Sequence, residues 1–144
     1  MIERFKMIGE VHLILERPGE VLLLRRFQTG YEDGNYSLIA GHLDGDEPAR
    51  DGMVREAAEE AGIIVDPGDL EFVHLMHRMR GDERMSLFFR ARRWQGTPHN
   101  AEPHKCDDLS WFATDTLPPN LVAYIGQALN CVARGQTYSE FAWR

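Results

Sequence analysis

The stretch from Gly41 to Ile63 reads GHLDGDEPARDGMVREAAEEAGI, and the interpretation of the whole chain depends on it. Glu59 and Glu60 follow Glu56 by three and four residues. On an α-helix, at about 100° per residue, these three carboxylates share one face. Like charges at this spacing weaken a helix by a few tenths of a kcal/mol per pair, so stability alone does not explain the pattern. A multivalent cation would relieve the repulsion.

The ends of this helix are marked in the sequence. We expect Asp46 to cap it and Pro48 to occupy its first turn, where a backbone N–H has no intrahelical partner. Gly62 is placed to end it. Opposite the glutamates lies a narrow stripe of small apolar residues that allows close approach to a sheet, namely Val54, Ala57, Ala58 and Ala61.

Gly52 is unusual, because a glycine inside a helix costs about 1 kcal/mol relative to alanine. It lies on the acidic face, one turn before Glu56. Two interpretations stay open. Either Gly52 is a tolerated local weakness, or the missing side chain leaves room for a ligand or for a covering loop.

The composition is that of an ordinary globular protein, with 144 residues of which 43% are hydrophobic and 27% charged. This length fits one domain, residues 1–144. No run approaches the roughly 18 apolar residues of a membrane span and no signal peptide is evident, so we expect a cytoplasmic protein that makes no membrane contact. Cys106 and Cys131 are isolated, which indicates reduced thiols rather than a zinc site or a disulfide.

The net charge of -7 offers no electrostatic footprint for a nucleic-acid polymer. A negative net charge is nevertheless compatible with a small nucleotide substrate whose phosphates are bridged to the protein by a metal ion. We therefore expect a small-molecule nucleotide partner and no nucleic-acid polymer.

The rest of the chain predicts two hairpins, further short strands and a second helix. Turn chemistry at 17–20 and 80–83 separates the paired runs. The predicted strands are 5–15, 21–24, 36–39, 70–79, 84–93 and 109–112. A polar connection spans 94–108, and a helix opens at Pro118-Pro119-Asn120 and closes at Gly135. The aromatic tail, with Tyr138, Phe141 and Trp143, either folds back onto the domain or covers a partner in a possible homodimer.

Clustered carboxylates without thiolates or an organised histidine set are hard oxygen ligands, suited to Mg²⁺ or Mn²⁺ rather than zinc. Magnesium in turn suggests phosphates, and hydrolysis of a phosphoanhydride is the natural reaction class. Arg55 precedes Glu59 by four residues, so it can hold that carboxylate by a charge-assisted hydrogen bond.

The spacing of Gly41, Glu47 and the run Arg55–Ile63 resembles a complete Nudix box, the 23-residue signature of the Nudix hydrolases. Ala57, where a larger apolar residue is frequent, and Ala40, where a second glycine is common, depart from it without removing a catalytic group. The pattern of strands around a glutamate helix and a late second helix is also similar. The resemblance implies an α/β fold, the Nudix-type α/β/α sandwich around a mixed β-sheet.

The resemblance also implies roles for the box residues. Glu59 and Glu60 are expected to be the principal metal ligands, helped by the carbonyl of Gly41, with Mg²⁺ as cofactor and Mn²⁺ as a substitute. Glu56 is expected to be a ligand or the base that activates water. Arg55 is expected to orient Glu59. Glu47, placed in the preceding loop, is expected to have a supporting role.

In some members of the family a glutamate from a later loop acts as base or additional ligand. The candidates here are Glu102, Asp107 and Asp108, and we favour Glu102 as a metal ligand. Other residues near strand ends and in this loop are candidates for binding phosphate or base. They are Arg25, Arg26, His104 and Lys105, with Phe27, Tyr36 and Trp111 as possible stacking platforms.

The segment Trp94–Pro98, followed by Glu102 and Leu109–Phe112, is similar to the nucleotide-sanitising branch of the family. That branch splits nucleoside triphosphates, sometimes oxidised ones, into a monophosphate and pyrophosphate. One alternative is hydrolysis of a nucleoside diphosphate linked to another group, such as ADP-ribose or a sugar. Another is a nucleotide-sensing module without hydrolysis, although such modules usually lose box carboxylates.

Overall fold

The computed structural model describes residues 2–143 and contains eight strands, two α-helices and one short 3₁₀ turn at Pro67–Asp69. The strands before the first helix are β1 (Ile8–Arg17), β2 (Glu20–Arg26), β3 (Tyr36–Ser37) and β4 (Ile39–His42). Helix α1 spans Ala49–Ala61. The remaining elements are β5 (Glu71–Arg80), β6 (Asp82–Ala91), β7 (Cys106–Ala113), α2 (Ala123–Ala133) and β8 (Tyr138–Phe141).

Strand β1 is central to a mixed sheet. It runs parallel to β6 and antiparallel to β4, and its last residues turn into β2. Strand β2 pairs antiparallel with β7 and β3, while β5 lies between β6, which is antiparallel to it, and β8, which is parallel to it. A strand that is covered on both faces reads as a nearly continuous apolar run, as Val11–Leu15 does apart from His12.

The two helices cover opposite faces of the sheet. Met53, Ala57 and Ala61 of α1 pack with Val11, Leu13 and other residues in one buried cluster. On the other face, Ile125 and Ala128 of α2 pack with Ile14, Leu23 and Phe88 in a second cluster. The expected α/β/α sandwich around a mixed sheet is therefore confirmed.

Both predicted hairpins are present, but several element bounds differ from those expected. The first strand begins at Ile8 rather than Phe5, and β7 begins at Cys106, which shortens the connection before it. The predicted strand 36–39 is divided at Leu38 into β3 and β4, which pair with β2 and β1 respectively. Helix α2 begins at Ala123, because Leu121 is engaged in a bridge with Tyr36.

The tail folds back onto the domain. Strand β8 pairs with β5 at Leu75–Arg78, and the Trp143 indole N–H donates to the carbonyl oxygen of His77 at 2.8 Å. Among residues 2–143, no helix is long and apolar enough to cross a membrane.

Candidate active site

A cavity of about 670 Å³ lies beside the acidic face of α1. Eight of the residues predicted for the site line it: Arg26, Gly41, Arg55, Glu56, Glu59, Glu60, Glu102 and Lys105. The structure thus brings the glutamates together with a candidate loop carboxylate and with cationic side chains.

The local structure of α1 differs from the expectation at two positions. Asp46 does not cap the helix: it has a positive φ of 58°, and Pro48 is the N-cap residue, without a side-chain cap. Ala58 is exposed rather than part of the apolar stripe, because the buried side is formed instead by Gly52, Met53, Ala57 and Ala61. Gly62 ends the helix in the left-handed conformation, as predicted.

Gly52 makes room for a covering loop. A Cβ at this position would lie 2.6 Å from Cδ2 of Leu43 and 3.1 Å from Oε1 of Glu47. Of the interpretations left open by the sequence, the structure supports the covering loop. The loop residue Glu47 is thereby held beside α1.

Arg55 is the cation around which the carboxylates of the site are arranged. Its Nη2 lies 2.8 Å from Oε1 of Glu47, and its Nη1 lies 2.9 Å from Oε1 of Glu56 and 3.4 Å from Oε2 of Glu59. The hydrogen bonds that Arg55 donates to Glu47 and Glu56 raise the pKa of Arg55, and Arg55 in turn lowers the pKa of Glu47. The predicted contact with Glu59 is present, but Glu47 and Glu56 are the closer partners.

Glu56 and Glu60 face the backbone of β4. The carboxyl group of Glu56 lies where a Cβ on Gly41 would stand, and Oε1 of Glu60 accepts from the N–H of Ala40 at 3.5 Å. The other oxygen of Glu60, Oε2, is buried without a hydrogen-bond partner. Burial first, and then Glu56, raise the pKa of Glu60 well above its ordinary value.

These features fit a hard divalent cation. The donors are carboxylate oxygens, Gly41 leaves space for Glu56 at the backbone, and Oε2 of Glu60 is a buried acceptor without a protein partner. In their present rotamers, no three His, Cys, Asp or Glu side chains within residues 2–143 form a group that could hold a metal ion. Glu56 is instead directed toward Arg55, so ligation by this set requires side-chain rotation.

The structure separates the loop candidates. Glu102 lines the cavity with the α1 glutamates, whereas Asp107 pairs with Arg25 at 2.7 Å and Asp108 accepts a hydrogen bond from the Tyr36 hydroxyl. Glu102 is therefore the one of the three loop carboxylates that lies with the glutamates.

Of the seven candidates for binding phosphate or base, five lie outside the cavity lining, namely Arg25, Phe27, Tyr36, His104 and Trp111. Arg25 is engaged by Asp107, and Trp111 stacks on Trp94 with the guanidinium of Arg17 4.2 Å from its ring centroid. Tyr36 is buried against Phe112. Tyr36 and Trp111 therefore pack against other side chains of the domain instead of lining the cavity.

The cavity also contains polar residues that the sequence analysis did not select. They come from β1, β5, β6, α2 and the β2–β3 loop, and include Glu10, His12, Tyr31, Arg78, Arg80, Arg84 and Tyr124. A signal existed in β1, where Glu10 and His12 interrupt an apolar run at the two-residue spacing of one strand face.

Glu10 and His12 are buried and strongly perturbed. Burial alone would raise the pKa of Glu10, but His12, the Ser86 hydroxyl and Arg78 outweigh it and lower the pKa to about 2. Burial lowers the pKa of His12 to about 4, and its Nε2 lies 2.8 Å from the hydroxyl oxygen of Tyr124. Glu10 is therefore ionised and His12 neutral near pH 7.

The protein has an α/β/α sandwich, and its carboxylate-bearing helix lies beside a polar cavity. These two features define a Nudix-type fold with a candidate metal site. Residues 8–129 match the family profile of the NUDIX domain, and the chain belongs to this family. The resemblance seen in the sequence is confirmed. Nudix hydrolases generally use a divalent metal ion.

The chain is similar to several known proteins. The CTP pyrophosphohydrolase of Escherichia coli K12 is 36% identical over 69 residues, 48% of this chain and 51% of that protein. The NAD-capped RNA hydrolase NudC of Pseudomonas putida is 32% identical over 109 residues, 74% of this chain and 37% of that protein. These alignments span only about half, or less, of the relatives' length.

The fold has a close counterpart among solved structures. The crystal structure of a MutT NUDIX hydrolase from Burkholderia pseudomallei superposes with a TM-score of 0.81 at 26% identity. That alignment covers 88% of this chain and 98% of the other.

Proposed function

We propose that this chain is a Nudix pyrophosphohydrolase that splits a nucleoside triphosphate into a nucleoside monophosphate and pyrophosphate. The observation that carries the proposal is the cavity lined both by Glu56, Glu59, Glu60 and Glu102 and by arginine and lysine side chains. Carboxylates suit a divalent cation and cationic side chains suit phosphates, so the cavity has both components that phosphoanhydride hydrolysis requires. The similarity to a CTP pyrophosphohydrolase supports the triphosphate as substrate class.

In this proposal, Glu59, Glu60 and the carbonyl oxygen of Gly41 would hold Mg²⁺, with Glu56 or Glu102 as a further ligand and Mn²⁺ as a substitute. When bound, Mg²⁺ neutralises phosphate charge and lowers the pKa of a water molecule that can attack phosphorus. Whichever of Glu56 and Glu102 is not a ligand would be the carboxylate of the cavity able to accept a proton from the attacking water.

The other side chains position these groups. Arg55 holds Glu56 and Glu59 in place, and Glu47 and the carbonyl oxygen of His42 hold Arg55. Lys105 and Arg26 line the same cavity and bind the phosphates or the base of the substrate. We further propose that residues 1–144 act as one domain, in agreement with the family match over 8–129.

A second candidate function is hydrolysis of a nucleoside diphosphate linked to another group. The similarity to an NAD-capped RNA hydrolase over 74% of this chain favours it, because NAD contains such a linkage. The same helix and metal site would serve both reactions. The products separate them, since a triphosphate yields pyrophosphate and a dinucleotide yields two monophosphates.

The test is hydrolysis by the purified chain of a panel containing CTP, the other nucleoside triphosphates, ADP-ribose and NAD, with Mg²⁺ or Mn²⁺ and product identification. Glu59→Gln and Glu60→Gln should each lower turnover by at least about 100-fold, because each removes a proposed ligand. Asp51→Asn is the matched control, since Asp51 is an exposed carboxylate in the first turn of the same helix. Near-normal turnover of both glutamine variants would refute the site, and nucleotide binding without hydrolysis of any panel member would favour a sensing module.

A further inference from the structure

Three arginines of the β5–β6 hairpin line the cavity, Arg78 and Arg80 from β5 and Arg84 from β6, and we call them the arginine wall. Arg78 packs against Tyr124 of α2, the helix on the sheet face opposite to α1. Arg78 and Arg84 are directly paired in the β5–β6 register. Arg78 and Arg80 are two residues apart and therefore project from the same face of the sheet. The three guanidinium groups line the same cavity as Glu56, Glu59 and Glu60.

Glu10 fixes two members of the arginine wall. Its carboxylate accepts from Nε and Nη2 of Arg78 at 2.9 and 2.6 Å, from Nη1 of Arg84 at 3.0 Å and from Oγ of Ser86 at 2.6 Å. The guanidinium of Arg78 also lies 3.7 Å from the ring centroid of Tyr124. A carboxylate that accepts from four donors has little acceptor capacity left for a ligand. Arg84 is also paired with Asp82, through Nε at 2.9 Å, so Nη1 of Arg78 and Nη2 of Arg84 are the guanidinium nitrogens of this pair left without a hydrogen bond within residues 2–143. The buried floor of the cavity therefore offers a ligand hydrogen-bond donors held in fixed positions.

Arg80 adds a further positive charge at the rim. Its guanidinium lies 3.5 Å from the ring centroid of Tyr31, and Arg26 approaches the same ring at 5.2 Å. Arg26 donates to neutral oxygens, the carbonyl of Tyr31 and the hydroxyl of Thr29. Across residues 2–143, neither Arg26 nor Arg80 forms an ion pair with a carboxylate. These charges favour a ligand that brings oxygen acceptors or negative charge.

We propose that the arginine wall recognises hydrogen-bond-accepting oxygens at the end of the substrate remote from the glutamates. The orientation rests on the proposed function, in which α1 holds the reacting phosphates. The wall selects a nucleotide that carries an oxo group on its base, or a second anionic group on its sugar, over one that presents an amino group. Guanidinium donors satisfy such oxygens, whereas an amino group facing them would leave donors unpaired on both sides.

The probes are inosine 5′-monophosphate, adenosine 5′-monophosphate and adenosine 2′,5′-bisphosphate, each titrated calorimetrically into the purified chain with Mg²⁺ present. None contains a phosphoanhydride, so binding is measured without hydrolysis. The first differs from adenosine monophosphate by an oxo group in place of an amino group, and the third by an added phosphate. We expect at least one of them to bind about 10-fold more tightly than adenosine monophosphate, in line with a bidentate arginine contact. Preference for the inosine probe identifies an oxo-base as the source of the oxygens, and preference for the bisphosphate identifies an anionic group.

Two variants connect the preference to the arginine wall. Arg80→Ala removes an exposed side chain, and Arg78→Lys keeps the charge beside Glu10 but loses the planar fork. At least one of them should reduce the preference several-fold, while Arg93→Ala, an exposed arginine outside this cavity, should leave it unchanged. Circular dichroism of each variant checks the fold.

The proposal fails if the wild-type chain binds all three probes equally, or if both variants keep the full preference. A retained preference together with no hydrolysis of the triphosphate and dinucleotide panel would refute the proposed function and leave the arginine wall supported. Hydrolysis of a panel member without any preference among the three probes would support the proposed function and refute the role of the arginine wall.

Discussion

The carboxyl group of Glu56 occupies the space that a side chain on Gly41 would fill. Gly41 lies in β4 and Glu56 lies in the middle of α1, so this contact sets how closely the helix approaches the strand. It also explains in physical terms why a glycine stands fifteen residues before a glutamate in this chain. The position needs the missing Cβ for a side chain from another element, not for a turn.

Gly41→Ala should lower turnover by roughly 10- to 100-fold while the chain still folds, because the new methyl group forces Glu56 out of its position beside the other carboxylates. Steady-state hydrolysis of CTP or of whichever panel substrate is cleaved measures the effect, and thermal unfolding reports the fold.

Glu56→Ala and the double variant Gly41→Ala/Glu56→Ala provide the control. If Gly41 acts through Glu56, the double variant should be no slower than Glu56→Ala alone, since interacting residues are not additive. Additive losses would show that Gly41 acts by another route.

Arg55→Lys should lower turnover by roughly 10- to 100-fold, because a lysine cannot contact Glu47 and Glu56 with separate nitrogens of one planar group. The apparent Mg²⁺ requirement should rise as well, since Glu56 and Glu59 lose the group that holds them. Turnover as a function of Mg²⁺ concentration measures both effects.

Arg50→Lys is the comparison variant for Arg55→Lys. Arg50 lies in the same helix but donates to the backbone carbonyl oxygens of Pro67 and Leu70, away from the carboxylates. Its substitution should leave turnover and Mg²⁺ dependence close to those of the wild type. Equal losses in the two variants would indicate a general weakening of α1 instead of a role for Arg55 in the site.

The sequence predicted both hairpins and the acidic face of α1, because these depend on periodicity and on local turn chemistry. The α/β/α sandwich was implied by the resemblance to the Nudix family. The sequence did not predict the arginine wall. Arg78 and Arg84 belong to a hairpin whose alternation is visible, but their role depends on Glu10, which is 68 residues before Arg78. Pairing over such a distance is set by strand order, and no local pattern records it.

The incorrect helix cap has a similar origin. Asp46 is a residue type that often caps helices. Here the loop before α1 closes over Gly52, and the side chain directed toward Arg55 is that of Glu47 rather than Asp46. Tertiary contacts of the loop therefore override the local preference. Arg25 and Trp111 were predicted to bind substrate from their positions in strand and loop, yet Asp107 and Trp94 engage them outside the cavity lining.

Gly52→Ala and Gly126→Ala should have different effects, although both replace a glycine inside a helix. At Gly126 the added Cβ makes an ordinary 3.6 Å contact with Leu121, so the variant should gain about 1 kcal/mol in free energy of unfolding. At Gly52 the Cβ would lie 2.6 Å from Leu43, so part or all of that gain is lost in displacing the loop.

Urea unfolding measures the difference between these two glycine variants. Gly52→Ala should also lower turnover, because the displaced loop carries Glu47 away from Arg55, whereas Gly126→Ala should not. A full stability gain with normal turnover in Gly52→Ala would show that the loop is not held by this contact.

Buried Glu10 and His12 should make the stability of the chain depend on pH. His12 has a pKa of about 4 in the folded chain against 6.5 when unfolded, so the unfolded state binds more protons between these values. Glu10 has a pKa of about 2 against 4.5, and the same direction applies at lower pH. Both contributions to stability are therefore complete above about pH 6.5 and are lost as the pH falls, that of His12 toward pH 4 and that of Glu10 toward pH 2.

His12→Gln should remove the upper part of this dependence. A shift of this size in a buried group corresponds to about 3 kcal/mol in the free energy of unfolding between pH 6.5 and pH 4. Urea unfolding at half-unit pH steps measures it, and His104→Gln, which replaces an exposed loop histidine, is the matched control. The variant at His12 should show a flatter profile than wild type and control over this interval, because it has no imidazole to protonate on unfolding. Identical slopes in all three proteins would mean that His12 is not the group that binds the additional proton in the unfolded state.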